Sequence, residues 1–183
     1  MHVAVQEYNP EWPAQFETIK EEIETALIGV KRVSIEHVGS TSVPGLAAKP
    51  VIDLSVISDR EDIEAAIEAL TLQGGYTYMG TMGIPDRHAF RKRDILPTRN
   101  LYVSVKDCQS IRNHLALRDL CRRDDMVRDR YGQVKLELSR REWKSVDDYC
   151  EAKTAVISWI LEQAGLSEEE RDAIRRINTT GAT

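Results

Sequence analysis

Along the first thirty residues the apolar positions recur every three or four: Trp12, Phe16, Ile19, Ile23 and Leu27 fall on one stripe, with Pro10 and Pro13 at its start and Gly29 at its end. That spacing predicts an amphipathic helix, begun where a missing N–H is harmless and stopped by a glycine. The period then drops to two: Arg32–Val38 alternates Val33, Ile35 and His37 with Ser34 and Glu36, the pattern of a strand. Gly39 to Lys49 (GSTSVPGLAAK) is small and turn-rich, an ordered loop or a short helix start. Pro50–Ile57 is apolar except for Asp53 and Ser55, which sit two apart and so share one face of a second strand. Ser58 with Glu61 predicts a capping box, opening a helix on Ile63, Ala66, Ile67 and Leu70 that ends at Gly74-Gly75.

Three short strands are predicted next, at Tyr76–Met79, His88–Lys92 and Asn100–Val105, separated by Gly83, Pro85 and Pro97. From Asp107 onward the period is helical. One segment carries Ile111, Leu115 and Leu120, another Val134 and Leu138. A third runs through Val146, Tyr149, Cys150, Lys153, Val156, Ile157, Ile160 and Leu161 behind a Ser145/Asp148 cap. Gly165 closes it, Ser167 with Glu170 caps a last short helix, and Asn178–Thr183 reads as a frayed tail. This order predicts an α+β fold, a mixed sheet flanked by helices with a helical C-terminal half. Residues 1–165 form one domain, and 166–183 a short helix and tail.

Composition narrows the function classes. The 183 residues carry 25 Lys plus Arg against 30 Asp plus Glu, a net charge of −5, which argues against a protein devoted to duplex DNA but leaves room for a local basic groove. No apolar run approaches a membrane span, and the N-terminus shows no export signal. Three cysteines without CxxC spacing point to reduced thiols and a cytoplasmic location.

The chemistry concentrates between His37 and Val56. A strand ends at Gly39-Ser40, a small-residue loop follows, and the next strand presents Asp53. Gly39 allows close backbone approach to a phosphate, Ser40 and Ser42 offer donors, and Asp53 is a carboxylate suited to Mg²⁺. A tight turn with a capping serine explains the same residues without a ligand. Replacing Gly39 by valine is expected to keep a phosphate away while leaving most of the fold intact. No Lys-Ser/Thr pair follows Gly45, so this is not a P-loop, and no GxSxG elbow is present.

Tyr8–Pro13 (YNPEWP) and Ile35–Val56 (IEHVGSTSVPGLAAKPVIDLSV) resemble the GrpB family of bacterial proteins, and the resemblance continues through Arg87–Lys92, Leu117–Leu120, the Tyr131…Lys135 pair and Tyr149–Lys153. It implies a nucleotidyltransferase-like fold of the polymerase-β type. In such folds a Gly-Ser loop cradles nucleotide phosphates, and an Asp-x-Asp pair plus a third carboxylate hold two metals. By position, Gly39 and Ser40 match the Gly-Ser of the phosphate loop, with Thr41 and Ser42 as further candidate binding residues, and Asp53 matches the first metal carboxylate and is the candidate catalytic residue. The pattern departs at Ser55, where a second carboxylate is expected, and at Tyr102, where family members often have histidine. Two-metal chemistry needs several anionic ligands.

Lys49, His88 and Arg91 are the candidate cations for a bound anion, with Arg118 further away, while Lys92 and Arg93 read as a charged edge strand. Arg118–Arg130 holds five arginines and four aspartates; Asp119/Arg123 and Asp124/Arg128 at i,i+4 read as one self-paired exposed helix face. His114 near Cys121 reads as core. Two functions follow: a nucleotide- or phosphometabolite-binding protein that transfers a nucleotidyl group with Mg²⁺, or a non-catalytic accessory module that has lost the metal triad.

Overall fold

The computed structural model describes residues 2–172. Helix α1 (Trp12–Ala26) buries Trp12, Phe16, Ile19 and Ile23, the stripe the spacing predicts. Strands β1 (Ser34–Val38), β2 (Ile52–Ser58), β3 (Thr77–Tyr78), β4 (Arg87–Arg91) and β5 (Arg99–Val105) form a mixed sheet in the order β1-β2-β5-β4-β3. Only β2 and β5 run parallel; the connection between them carries α2 (Ile63–Leu72) and the β3–β4 hairpin. The helices α3 (Gln109–Arg123), α4 (Asp125–Ser139), α5 (Val146–Ala152) and α6 (Thr154–Gln163) make the C-terminal half.

Because side chains alternate along a strand, the sheet has two unlike faces. Leu54 and Val56 of β2, Leu101 and Val103 of β5 and Phe90 of β4 join α1 and α2 in the principal core. The opposite face carries Asp53 and Ser55, registered against Asn100 and Tyr102. There the C-terminal helices supply a second core, in which Leu120, Cys121, Tyr131, Val156 and Ile160 pack around Val43 and Leu46 of the β1–β2 loop. Polar strand residues are thus covered rather than solvated, which is what makes a site possible between the layers.

Three expectations need correction. Ser58 does not cap α2: it ends β2 with its hydroxyl buried and unpartnered, and a 3-10 turn at Arg60–Asp62 precedes the helix. The stripe from Val146 to Leu161 is two helices broken at Lys153, although the Ser145/Asp148 capping box forms. The charged run is not one helix face. Asp124 ends α3 and caps α4 by accepting from the backbone N–H groups of Met126 and Val127, so it pairs with the backbone rather than with Arg128. The Ser167/Glu170 cap forms, with Ser167 N–H donating to Glu170 and Glu170 N–H to the Ser167 hydroxyl. Asn178–Thr183 lies outside the described residues.

The β1–β2 loop is held by buried contacts. The His37 ring stacks on Phe16 with centroids 4.7 Å apart and planes 6° from parallel. The Thr41 hydroxyl donates to the Val51 carbonyl (3.2 Å), so it accepts from His37 Nε2 at 3.0 Å. Burial first, then the charges of Arg122 and Arg118, push the His37 pKa down to about 4. The unfolded chain therefore binds a proton that the folded chain refuses between about pH 6.5 and 4, so stability is complete above that window and falls as pH drops through it. Between pH 7 and 5.5 the protein is expected to lose about 1 kcal/mol of unfolding free energy through this residue. Urea denaturation at the two pH values, in wild type and His37→Gln, checks it: the variant should show the smaller loss.

Candidate functional site

Gly39 sits at the end of β1 with φ +69° and ψ −174°, a conformation that only glycine adopts readily. The reason lies across the loop: a Cβ on residue 39 would meet the Asp53 carboxylate and its Cβ, so the backbone here is in direct contact with the β2 side chain. Asp53 accepts a 2.7 Å hydrogen bond from the Asn100 amide of β5. Burial raises its pKa, opposed by that hydrogen bond and by the charges of Lys153, Lys49 and Lys135.

A cleft of about 420 Å³ opens above this pair, between the polar face of the sheet and the C-terminal helices. Gly39, Ser40 and Asp53 form one end. Arg87, His114 and Tyr131 are among the residues forming its sides, and Lys153 enters from the α5–α6 break. The Arg87 guanidinium lies over the Tyr102 ring at 4.6 Å, with its Nε buried and without a hydrogen-bond partner. His114 packs against the other side of the same neighbourhood, its ring centroid 6.3 Å from that of Tyr102, and burial pushes its pKa down to about 4. It is thus a wall of the cleft and not the core residue that the sequence suggests. Tyr131 is buried and opposes Ser40, and one turn further along α4 the Lys135 ammonium lies 4.2 Å from the Tyr131 ring centroid. Lys135 is 2 % exposed, its Nζ has no hydrogen-bond partner, and burial and the neighbouring Lys153 drive its pKa well down. Lys153 is lowered too, by burial first and against the pull of Cys150 and Asp53.

Of the residues expected at the site, Gly39, Ser40 and Asp53 come together, and Lys49 is exposed and does not line the cleft, although its charge is felt by Asp53. The others lie elsewhere. Thr41 spends its hydroxyl on His37 and Val51. The Ser42 hydroxyl donates to the Gly39 carbonyl (2.6 Å), while its own carbonyl is held by Arg122 (Nη2, 2.7 Å). His88 registers against Val103, on the opposite face of the sheet, and bonds the Tyr78 hydroxyl at 2.7 Å. Arg91 is exposed and pairs across the sheet with Thr77 of β3. Arg118 bonds Glu36 (2.8 Å) and the His37 carbonyl, clamping β1 to α3. Ser55 is sealed against Ser104 at 2.8 Å. The residues that spacing overlooked are Arg87, Lys135 and Lys153. The last two carried one signal, a lysine placed in an otherwise apolar stripe.

The donors near Asp53 do not make a two-metal site: one carboxylate, a neutral amide, a hydroxyl committed elsewhere and several cations stand where a set of anionic ligands is required. Among the described residues, no group of three His, Cys, Asp or Glu side chains could hold a metal ion. No helix there is long and apolar enough to cross a membrane.

A Gly-Ser turn facing a strand aspartate, on a five-stranded mixed sheet with helices on both sides, defines a nucleotidyltransferase-like fold. The structure of Cid1 in complex with its short product ApU shares it, with a TM-score of 0.52 at 15 % identity over 75 % of this chain and 43 % of that one. The chain belongs to the GrpB protein family, whose model matches residues 2–163. It is 37 % identical over 166 residues to the UPF0157 protein BH1888 of Halalkalibacterium halodurans, covering 88 % of this chain and 82 % of that one. The crystal structure of the conserved protein GrpB from Enterococcus faecalis superposes with a TM-score of 0.77 at 34 % identity, over 88 % of this chain and 96 % of the other.

Proposed function

We propose that this protein binds a nucleotide or a phosphorylated small molecule in the cleft between Gly39-Ser40 and Lys153, and that binding rather than two-metal nucleotidyl transfer is its function. The observation that carries this reading is the cationic surrounding of one carboxylate at the glycine turn: Arg87 and Lys153 line the cleft with Asp53, whose carboxylate also feels the charges of Lys49 and Lys135. Asp86, the other acid at the cleft, is already paired with Arg60 at 2.7 Å, so the cationic excess is not cancelled from within. Cations gathered without matching anions are costly to keep in a fold unless an anion completes them. The arrangement supports the accessory-module reading over the transferase reading because Ser55 stands where a second carboxylate is expected and Tyr102 supplies no third.

Thermal unfolding in the presence of nucleoside mono-, di- and triphosphates and of phosphorylated sugars tests it. A ligand at one hundred times its Kd adds about 2.7 kcal/mol, which for a chain of this length raises Tm by roughly 5–10 °C. Lys153→Met should remove most of that rise. A protein whose Tm is indifferent to every phosphorylated compound would refute the reading.

A further inference from the structure

We infer that Lys153, supported by the charge of the buried Lys135, holds the place of the metal ions in this cleft, so that the protein takes a free polyphosphate anion, and Asp53 opposes that anion rather than recruiting a cation for it. This rests on the reading above that the cleft binds phosphorylated ligands, and it adds how their charge is met.

Asp53 stands at the carboxylate of a metal-dependent fold, yet every group that acts on it from outside its own strand pair is a lysine: Lys153 from the α5–α6 break, Lys49 from the loop, Lys135 from α4. Lys135 is not itself a lining residue: it is buried one helical turn beyond Tyr131, with its Nζ unpartnered and 4.2 Å from that ring's centroid, and its charge acts on Asp53. Lys153 sits at the one place where the long C-terminal stripe breaks, which turns a core-stripe position into the cleft. Among the residues that line the cleft, Arg87 has its Nε buried and unpartnered. A metal ion placed at Asp53 would have these amines as neighbours, whereas a phosphate chain, whose negative charge draws protons back onto them, would find in them the charge that a magnesium ion supplies elsewhere. In such a site Asp53 is a like charge to the ligand. Its contact with Gly39 and its bond from Asn100 hold it against the turn, where it sets the geometry of the loop.

The sign of one substitution separates this from metal-dependent binding. Isothermal titration of ATP and of inorganic tripolyphosphate into the protein, in EDTA and in excess Mg²⁺, is the measurement. Both probes are expected to bind in EDTA, with Mg²⁺ leaving the affinity unchanged or lowering it. Asp53→Asn should tighten both in EDTA by about five- to tenfold, because a negative charge near the ligand is removed. Lys153→Met should weaken both at least tenfold, with Lys153→Arg recovering part of the loss. Should Lys135→Met or Lys153→Met fail to fold, the Asp53→Asn result and the EDTA comparison decide alone. Binding that requires Mg²⁺, or that weakens in Asp53→Asn, overturns the inference and leaves the phosphorylated-ligand reading standing. Absence of binding under both conditions overturns both.

Discussion

Replacing Lys135 by methionine should make the protein more stable while weakening the binding of phosphorylated ligands proposed above. The side chain is 2 % exposed, its amine has no hydrogen-bond partner, and its surroundings are the Tyr131 ring, Cys121 and a second lysine. An unsatisfied buried polar group costs about 1–3 kcal/mol, and methionine matches the length and fills the space without a polar atom. The gain should be about 2 kcal/mol, or roughly 4–8 °C in Tm at neutral pH. Its pH dependence has a definite sign. Burial lowers the Lys135 pKa well below 10.5, so between the folded value and 10.5 the unfolded chain holds a proton that the folded chain lacks, and wild-type stability rises with pH through that window. The advantage of Lys135→Met should therefore be largest at neutral pH and shrink as pH approaches 10. Calorimetric Tm values at pH 7 and pH 9.5 check both statements, and a variant less stable than wild type at pH 7 would sink them. Stability gained with function lost is the pattern expected of a residue kept for its ligand.

The second large effect is expected at Gly39. A Cβ there would stand far inside the contact distance of the Asp53 carboxylate and 2.9 Å from its Cβ and Cγ, and the φ of +69° with an extended ψ strains any other residue. Gly39→Ala is expected to cost about 2–4 kcal/mol, from backbone strain and overpacking together. Valine therefore cannot serve as a probe that spares the fold, contrary to the reading of the loop as sequence. Asp53→Ala in the same chain should recover part of the loss by removing the carboxylate, leaving the conformational share. Urea denaturation of the two single variants and the double variant reads the coupling directly. A Gly39→Ala protein within 0.5 kcal/mol of wild type would contradict the close contact on which this depends.

Much of the fold was legible because burial imposes a period. The α1 stripe, the alternation of β1, the shared face of Asp53 and Ser55 and both serine caps of the C-terminal region were all readable from spacing. What escaped was set by partners distant in sequence. Which face of the sheet receives His88 depends on the register of β4 against β5, and nothing within RHAFR specifies that register. Asp124 was read as one half of an i,i+4 ion pair because the spacing allows it. A short carboxylate at the start of a helix has nearer competitors in the backbone N–H groups two and three residues on. Lys135 and Lys153 lie 82 and 100 residues beyond Asp53 (135 − 53 and 153 − 53), so their places in apolar stripes marked them as unusual but only the docking of the helical half onto the sheet shows that they act on Asp53. Thr41 and Ser42 share the loop's composition with Ser40, but their hydroxyls close the turn on itself, a distinction composition does not carry.

The placement of Lys153 also orders events during synthesis. Gly39, Lys49 and Asp53 have all emerged once β2 is made, but Lys153 comes a hundred residues after Asp53, roughly 5–20 seconds at ordinary rates of translation. Through that interval Asp53 has Lys49 as a neighbouring cation but lacks the lysine of the α5–α6 break, and until β5 is made it lacks the Asn100 amide as well. On the reading proposed above, the cleft takes its anion only when the last helices have settled over the sheet, so that its occupancy would report that the chain has finished folding.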